Sequence, residues 1–297
     1  MSIGFVAVST SYGTISRFLP GIGDREMFLS YAREIPDMRS YSKVSYWMSG
    51  GYAARLQRVG VALNLVAPGQ YWLTEVSEAH ESLTQRRIRT TEITEVPDIT
   101  TLFLKPEEAK IECIPAGKYY STDLKEVFEK EALPPSTLFQ WTETLLNLNH
   151  EYRFFIADGV VHTGSPYLVN GVVCHSGMEG IYYTKAQAAA QSFIEILSEY
   201  DLLPPALTLD VGRDEDTGEW LIIEANPAWS SGPYGADPGK ILEVLDRACS
   251  LDRAIDSEKW LWKPAQYLTD LAASEPTVSI VPLSEVSSSS GVFKYEV

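Results

Sequence analysis

The chain has 297 residues, 45% of them hydrophobic, enough for one large domain or two to three packed lobes. A formal charge of −16 and a pI near 4.7 argue against a broad basic surface for nucleic acid, so any phosphate-binding site has to be local. Three scattered cysteines without CxxC spacing (Cys113, Cys174, Cys249) suit a reducing cytoplasm, and the hydropathy pattern predicts neither a secretory leader nor a membrane span.

Ile3 to Val8 is predicted as a short strand, followed by a Gly-containing loop through Gly23 and a helix over Met27 to Ile35. Gly50 and Gly51 read as a turn, because they lack the spacing of a phosphate-binding loop. A helix over Tyr52 to Arg58 and a strand over Val61 to Val66, stopped by Pro68 and Gly69, complete a small α/β lobe. The basic cluster Arg86, Arg87 and Arg89 fits a solvated helix face as well as a phosphate contact. Thr100 to Pro106 is predicted as a strand, and Pro106 forces an extended exit for Lys105.

Pro134 to Thr144 contains a strand running into a polar turn. In the strand that follows, Glu151, Arg153 and Phe155 share one face and Tyr152, Phe154 and Ile156 the other. Arg153 then either caps the strand in water or presents a fork of donors to an anion. Asp158-Gly159 and Asn170-Gly171 are hairpin signals, which predicts antiparallel sheet in the centre of the chain. The four histidines show no metal-ligand spacing, and His162 and His175 read as strand or turn residues. A helix is predicted from Thr184 to the prolines at 204 and 205, another over Gly239 to Cys249, and a poorly ordered Ser-rich tail from 274 to 297.

The stretch from Leu207 to Gly235 carries the most chemistry. It reads as two strands around a turn near Asp216 and Thr217, with Asp210 opposite Glu224. Alternation puts Thr208 and Asp210 on one face, and Trp220, Ile222, Glu224 and Asn226 together on one face. Acidic residues beside turns, and Asn-Pro leaving a strand, are also ordinary strand endings. Yet Glu224 follows three apolar residues, where a carboxylate without a partner is costly, and Asp210, Glu224 and Asn226 together form a hard-oxygen set suited to Mg²⁺. Without a metal the two carboxylates are expected to repel each other.

Asp followed by Glu-x-Asn at the end of an apolar strand, with Lys105-Pro106 and Arg153-x-Phe155 upstream, resembles the ATP-grasp family over about residues 86–245. It is similar in particular to a small bacterial and phage branch of amide ligases, in which Trp, Gly and Tyr follow Glu-x-Asn, as Trp229, Gly232 and Tyr234 do here. The Gly-rich loop that many larger members place over the phosphates is not evident.

The resemblance implies an α+β, ATP-grasp fold: an α/β lobe at 1–85, a small lobe at 86–142 and a large lobe at 143–273, the last two clamping ATP with antiparallel sheets. It implies an ADP-forming carboxylate–amine ligase working through an acyl phosphate, with ATP and Mg²⁺ (or Mn²⁺) as cofactors and small or peptide carboxylates and amines as partners. Lys105, Lys110 and Arg153 take the phosphates, while Glu143, Thr144 and Leu145 hold the adenine edge and Glu151 the ribose. Asp210, Glu224 and Asn226 hold the metal, with Asp210 also near the nucleotide. Trp229, Ser230, Gly232 and Tyr234 line the substrate pocket. A homodimer is compatible with this reading. Two rivals stay open: a nucleotide-binding scaffold without turnover, and a glycosidase using Asp210 and Glu224 as acid and base.

Overall fold

The computed structural model describes residues 2–9, 12–31, 33–97, 101–107, 111, 114–120, 124, 126–128, 130, 133–174, 182–287 and 291–295. The N-terminal part holds β1 (Ile3–Val8), α1 (Tyr12–Ile15), β2 (Glu26–Ser30), β3 (Glu34–Pro36), β4 (Lys43–Trp47), α2 (Gly50–Arg58), α3 (Trp72–Ala79) and α4 (Glu81–Thr84). Next come β5 (Arg89–Glu92), β6 (Leu102–Pro106), β7 (Gly117–Tyr119), β8 (Leu138–Thr142), β9 (Leu148–Ala157), β10 (Val160–Val169) and β11 (Val172–Val173). The chain continues through α5 (Tyr183–Glu199), β12 (Ala206–Asp214), β13 (Trp220–Asn226), α6 (Pro238–Ala248), α7 (Gln266–Ser274), β14 (Ser279–Val281) and β15 (Val292–Tyr295).

The first sheet has the order β15-β2-β1-β4, with β1 parallel to both neighbours. Its central strand is buried from Gly4 to Val8, as a parallel strand covered on both faces should be. Strands β2 and β3 replace the helix predicted over 27–35. Met27, Phe28 and Leu29 are all buried, and a continuous apolar run does not separate a two-sided strand from a helix. The helix after Gly50 and Gly51 begins at Gly50 itself, capped by Ser49 Oγ, which accepts from the Tyr52 amide at 3.2 Å.

The strand predicted over 61–66 is not formed. Among the described residues that segment makes one isolated bridge, Val66 to Leu261, while Leu63 and Leu65 are buried in the core. The tail predicted to be poorly ordered instead supplies β14, parallel to β3, and β15, antiparallel to β2. Val292 is fully buried there, which offsets the cost of ordering the segment.

The second sheet, β5-β8-β6-β7, is antiparallel and packs Leu102, Leu104, Phe139 and Trp141 into its own core. The third, β11-β10-β9-β12-β13, is also antiparallel. Two of its hairpin turns have positive φ at both central residues, Asp158 and Gly159, and Asn170 and Gly171, the pattern that suits a right-twisted two-residue hairpin. Helix α5 covers one face, with Ala186, Ala190, Phe193, Ile194 and Leu197 packed in one cluster with Tyr152, Phe154, Leu209 and Val211. The opposite face, carrying Glu151, Arg153 and Asp210, is left for the site. Among the described residues no helix is long and apolar enough to cross a membrane.

Candidate functional site

The site forms where β6 and β8 of the second sheet meet β9, β12 and β13 of the third. Register confirms Asp210 opposite Glu224 and Thr208 opposite Asn226. It also corrects one sequence expectation. Between Asp210 and Val211 the pairing shifts, with Val211 opposite Ile222, so Ile223 is an extra, bulged residue. The bulge breaks the alternation: Ile222, Trp220 and Ala225 pack toward α5, while Ile223 and Glu224 both line the cleft. Ile223 lies over Gly212, where a Cβ would sit 2.7 Å from Ile223 Cδ1. Buried Arg86 fastens the bulge by donating to the carbonyls of Ile223 at 3.0 Å, Ile222 at 3.3 Å and Thr84 at 2.9 Å.

Lys105, near the end of β6, forms an ion pair with Glu224 that the sequence reading did not anticipate. The other oxygen of Glu224 accepts from Asn226 Nδ2 at 2.8 Å and stands 3.9 Å from Arg153. Arg153 grips Asp210 with two bonds, Nε to Oδ1 at 2.8 Å and Nη2 to Oδ2 at 2.6 Å. Its guanidinium lies 5.5 Å from the Tyr167 ring centroid and 5.3 Å from that of Tyr234. Tyr167 donates to Glu151. The expected repulsion between Asp210 and Glu224 is therefore relieved, because each carboxylate has its own cation.

Burial opposes ionisation of Glu224, but Lys105, Arg153 and Asn226 hold its carboxyl well below the usual range. Burial pushes Asp210 up to about 6 against the pull of Arg153. Glu151 is pushed up to about 7, first by burial and then by the charges of Asp210 and Glu224, against the donation from Tyr167. Burial lowers Arg86 to about 10, despite the nearby Glu224 and Glu151.

Two cavities meet at this corner. A cleft of about 420 Å³ is walled by Ile88, Phe103, Trp141, Thr144, Leu146, Leu148, Glu151, Tyr167 and Ile223. A smaller chamber of about 110 Å³ is walled by Trp72, Glu107, Asn226, Trp229, Ser230 and Trp262. Lys105, Gln140, Glu224 and Leu73 line both.

Among the sequence-predicted residues, Lys105, Glu151, Arg153, Asp210, Glu224 and Asn226 come together, and Thr144 lines the cleft. Glu143 is turned outward, 4.0 Å from Arg89, and Leu145 is 46% exposed, so Leu146 and Leu148 supply the apolar wall there. Lys110 lies outside the described residues. Trp229 is fully buried, donates to the Val66 carbonyl at 2.8 Å and meets Trp262 edge-on, so it braces the chamber beside Ser230. Gly232 lies against the Tyr234 ring, which stacks near Tyr167 on the Arg153 side. Gln140, Glu107 and Tyr167 were not singled out from the sequence. Gln140 is the cross-strand partner of Lys105, on β8 opposite β6.

Glu224 and Asn226 adjoin, Asn226 Nδ2 donating to Glu224 Oε1 at 2.8 Å, and a carboxylate and an amide oxygen are donors of the kind Mg²⁺ accepts beside phosphate oxygens. Asp210 is fully buried, and both of its oxygens are held by Arg153, so it stands behind them as a charge. Among the described residues no group of three His, Cys, Asp or Glu side chains is placed to hold a metal.

The fold resembles solved structures at low identity. A D-cycloserine synthetase, DcsG, matches with a TM-score of 0.53 and 12% identity over 82% of this chain and 98% of its own. The D-alanine–D-alanine ligase of Bacillus anthracis matches at 0.51 and 11% over 82% and 96%, and that of Coxiella burnetii at 0.50 and 11% over 84% and 95%. No curated protein sequence matches. A family model of the ATP-grasp domain, the third family of its clade, matches residues 52–245, a span that contains both sheets of the cleft and every ion pair at its corner, and the chain belongs to that ATP-grasp family.

Proposed function

We propose that the protein is an ATP-dependent, ADP-forming carboxylate–amine ligase. The observation that carries the reading is the cross-cleft constellation itself. Lys105 and Glu224 meet at the junction of an apolar-walled cleft and a second chamber, with Arg153 and Asp210 paired behind them. The large cleft suits a nucleotide: Ile88, Phe103, Leu146 and Leu148 offer apolar surface to a base, and Glu151 offers an acceptor to ribose hydroxyls. The names of the structural neighbours, two ligases and a synthetase, agree with the reading.

A carboxylate does not condense with an amine at neutral pH, so it must first be activated. In the proposed reaction a carboxylate oxygen attacks the γ-phosphorus and the bond to the β–γ bridging oxygen breaks, releasing ADP. The amine then attacks the acyl carbon, phosphate leaves, and the amine nitrogen loses a proton. Lys105 and Arg153 orient and neutralise the transferring phosphoryl group, work that consists mostly of positioning and charge stabilisation. Glu224 and Asn226 would hold Mg²⁺ or Mn²⁺, which supplies charge neutralisation on the phosphate oxygens.

A glycosidase is disfavoured because Asp210 has no exposed surface and gives both oxygens to Arg153, so it is in no position to exchange a proton with a sugar. The test is a screen of amino acids, peptides and simple acids for acceptor-dependent ADP release, with Glu224→Gln as the control. Release with a pair of substrates, lost in the variant, supports the ligase. Tight Mg·ATP binding with no acceptor-dependent release across the screen supports the scaffold reading instead.

A further inference from the structure

Gln140 sits on β8 opposite Lys105 and is only 6% exposed, yet its Oε1 has no hydrogen-bond partner among the described residues. A buried acceptor left without a donor costs free energy, and such an atom in a native protein calls for a reason. Its orientation is set by its own amide: Nε2 donates to Glu107 Oε1 at 3.3 Å, which leaves the oxygen as the free end. Gln140 lines both cavities, whereas Thr144 and Leu146, toward the base end of the cleft, line only the larger one. The missing donor therefore belongs at the phosphate corner or in the chamber rather than on the base.

The chamber's chemistry narrows the donor. Among the described residues its charged side chains are Lys105, Glu107 and Glu224, and the lysine is engaged by Glu224. Gln140 Oε1 is thus an acceptor that awaits a donor, a poor setting for a carboxylate and a good one for an amine. The remaining surface is largely apolar, with Trp72, Trp229 and Trp262 among the walls. At about 110 Å³ the space is somewhat smaller than a cavity of about 150 Å³ that admits benzene.

We propose that this chamber is the binding site for the amine substrate, a small primary amine with an apolar body, and that Gln140 Oε1 accepts a hydrogen bond from its nitrogen. The assignment rests on the ligase reading for its place in the reaction, but the binding itself does not. It puts the nucleophile within the same corner as Lys105, where the activated carboxylate is expected.

The test titrates the full-length protein with isobutylamine by calorimetry, with and without a saturating non-hydrolysable Mg·ATP analogue, and uses isobutyrate as the anionic counterpart. The expected result is binding of the amine, no competition by isobutyrate, and a roughly tenfold loss of amine affinity in Gln140→Met, read in the titration without nucleotide. Gln140→Glu keeps an acceptor at the same reach, so it should bind the amine at least as tightly as the native protein. That variant decides the matter if the methionine form does not fold. No amine binding in the native protein, equal binding of isobutyrate, or weaker amine binding in Gln140→Glu would overturn the proposal. Amine binding without any nucleotide binding would instead uphold the chamber and remove the ligase reading.

Discussion

Lys105 on β6 and Glu224 on β13 close the cleft with an ion pair between two different sheets, the lysine side chain 18% and the glutamate 24% exposed. Neither is in open water, so the pair is more than a screened surface contact. A phosphate entering this corner meets a lysine whose charge is already used. Binding therefore exchanges one anion for another at the same ammonium.

Lys105→Met tests that exchange. It leaves Glu224 with Asn226 at 2.8 Å and Arg153 at 3.9 Å as its remaining partners. The expected outcome is a loss of about 1–3 kcal/mol of stability in urea unfolding, the scale of a broken charged hydrogen bond. Mg·ATP affinity, measured by calorimetry, should fall at least tenfold. Unchanged nucleotide affinity in a destabilised protein would make the lysine only a tie between the sheets.

Glu224→Gln should show two separate effects. Without ligand it leaves Lys105 facing a neutral amide and should lower stability by about 1–3 kcal/mol. This reverses the expectation from sequence, where two neighbouring carboxylates suggested relief on neutralisation. With ligand, the gain in ATP affinity that Mg²⁺ confers should shrink toward none, because an anionic oxygen has gone from the site. An undiminished Mg²⁺ effect would move the cation elsewhere.

The difference between those two expectations shows what the sequence carries. Alternation and turn chemistry are local, so the pairing of Asp210 with Glu224, the shared face of Glu151 and Arg153 and the two Asx-Gly hairpins could all be read from adjacent residues. The partners of those residues are not local: Lys105 comes from 119 positions before Glu224, and Arg153 from 57 before Asp210. The bulge at Ile223 also escaped, because nothing in an unbroken Leu-Ile-Ile run marks the extra residue. Gln140 escaped for another reason: its significance lies in an atom without a partner, which has no sequence signature.

Gly212→Ala probes the bulge. A Cβ there would meet Ile223 Cδ1 at 2.7 Å, Ile223 Cγ1 at 3.1 Å and Leu148 Cδ2 at 3.2 Å. The contacts are side-chain ends that can shift, so a cost of about 1–3 kcal/mol is expected, the range for overpacking. Because Ile223 adjoins Glu224, Mg·ATP affinity should fall as well. A variant as stable as the native protein would show that Ile223 has room to move without disturbing the strand.

Glu151 makes stability depend on pH in a direction that can be checked. Its carboxyl is raised from the ordinary 4.5 to about 7, mainly by burial, so between those values the folded protein binds more protons than the unfolded chain. Stability from this group is fully present below about 4.5 and is lost as pH rises to about 7. Glu151→Gln has no such proton to lose. Asp210, also raised by burial, contributes its own slope to both proteins and largely cancels in the comparison. Urea midpoints of the native protein and the variant from pH 4.5 to 8 should therefore diverge, with the native protein losing ground as pH increases and the gap levelling off above about 7. Tyr167→Phe removes the hydroxyl that favours the ionised form, so the levelling should move to higher pH. A gap independent of pH would mean that Glu151 is already ionised across the range, and that burial does not govern the charge at this end of the cleft.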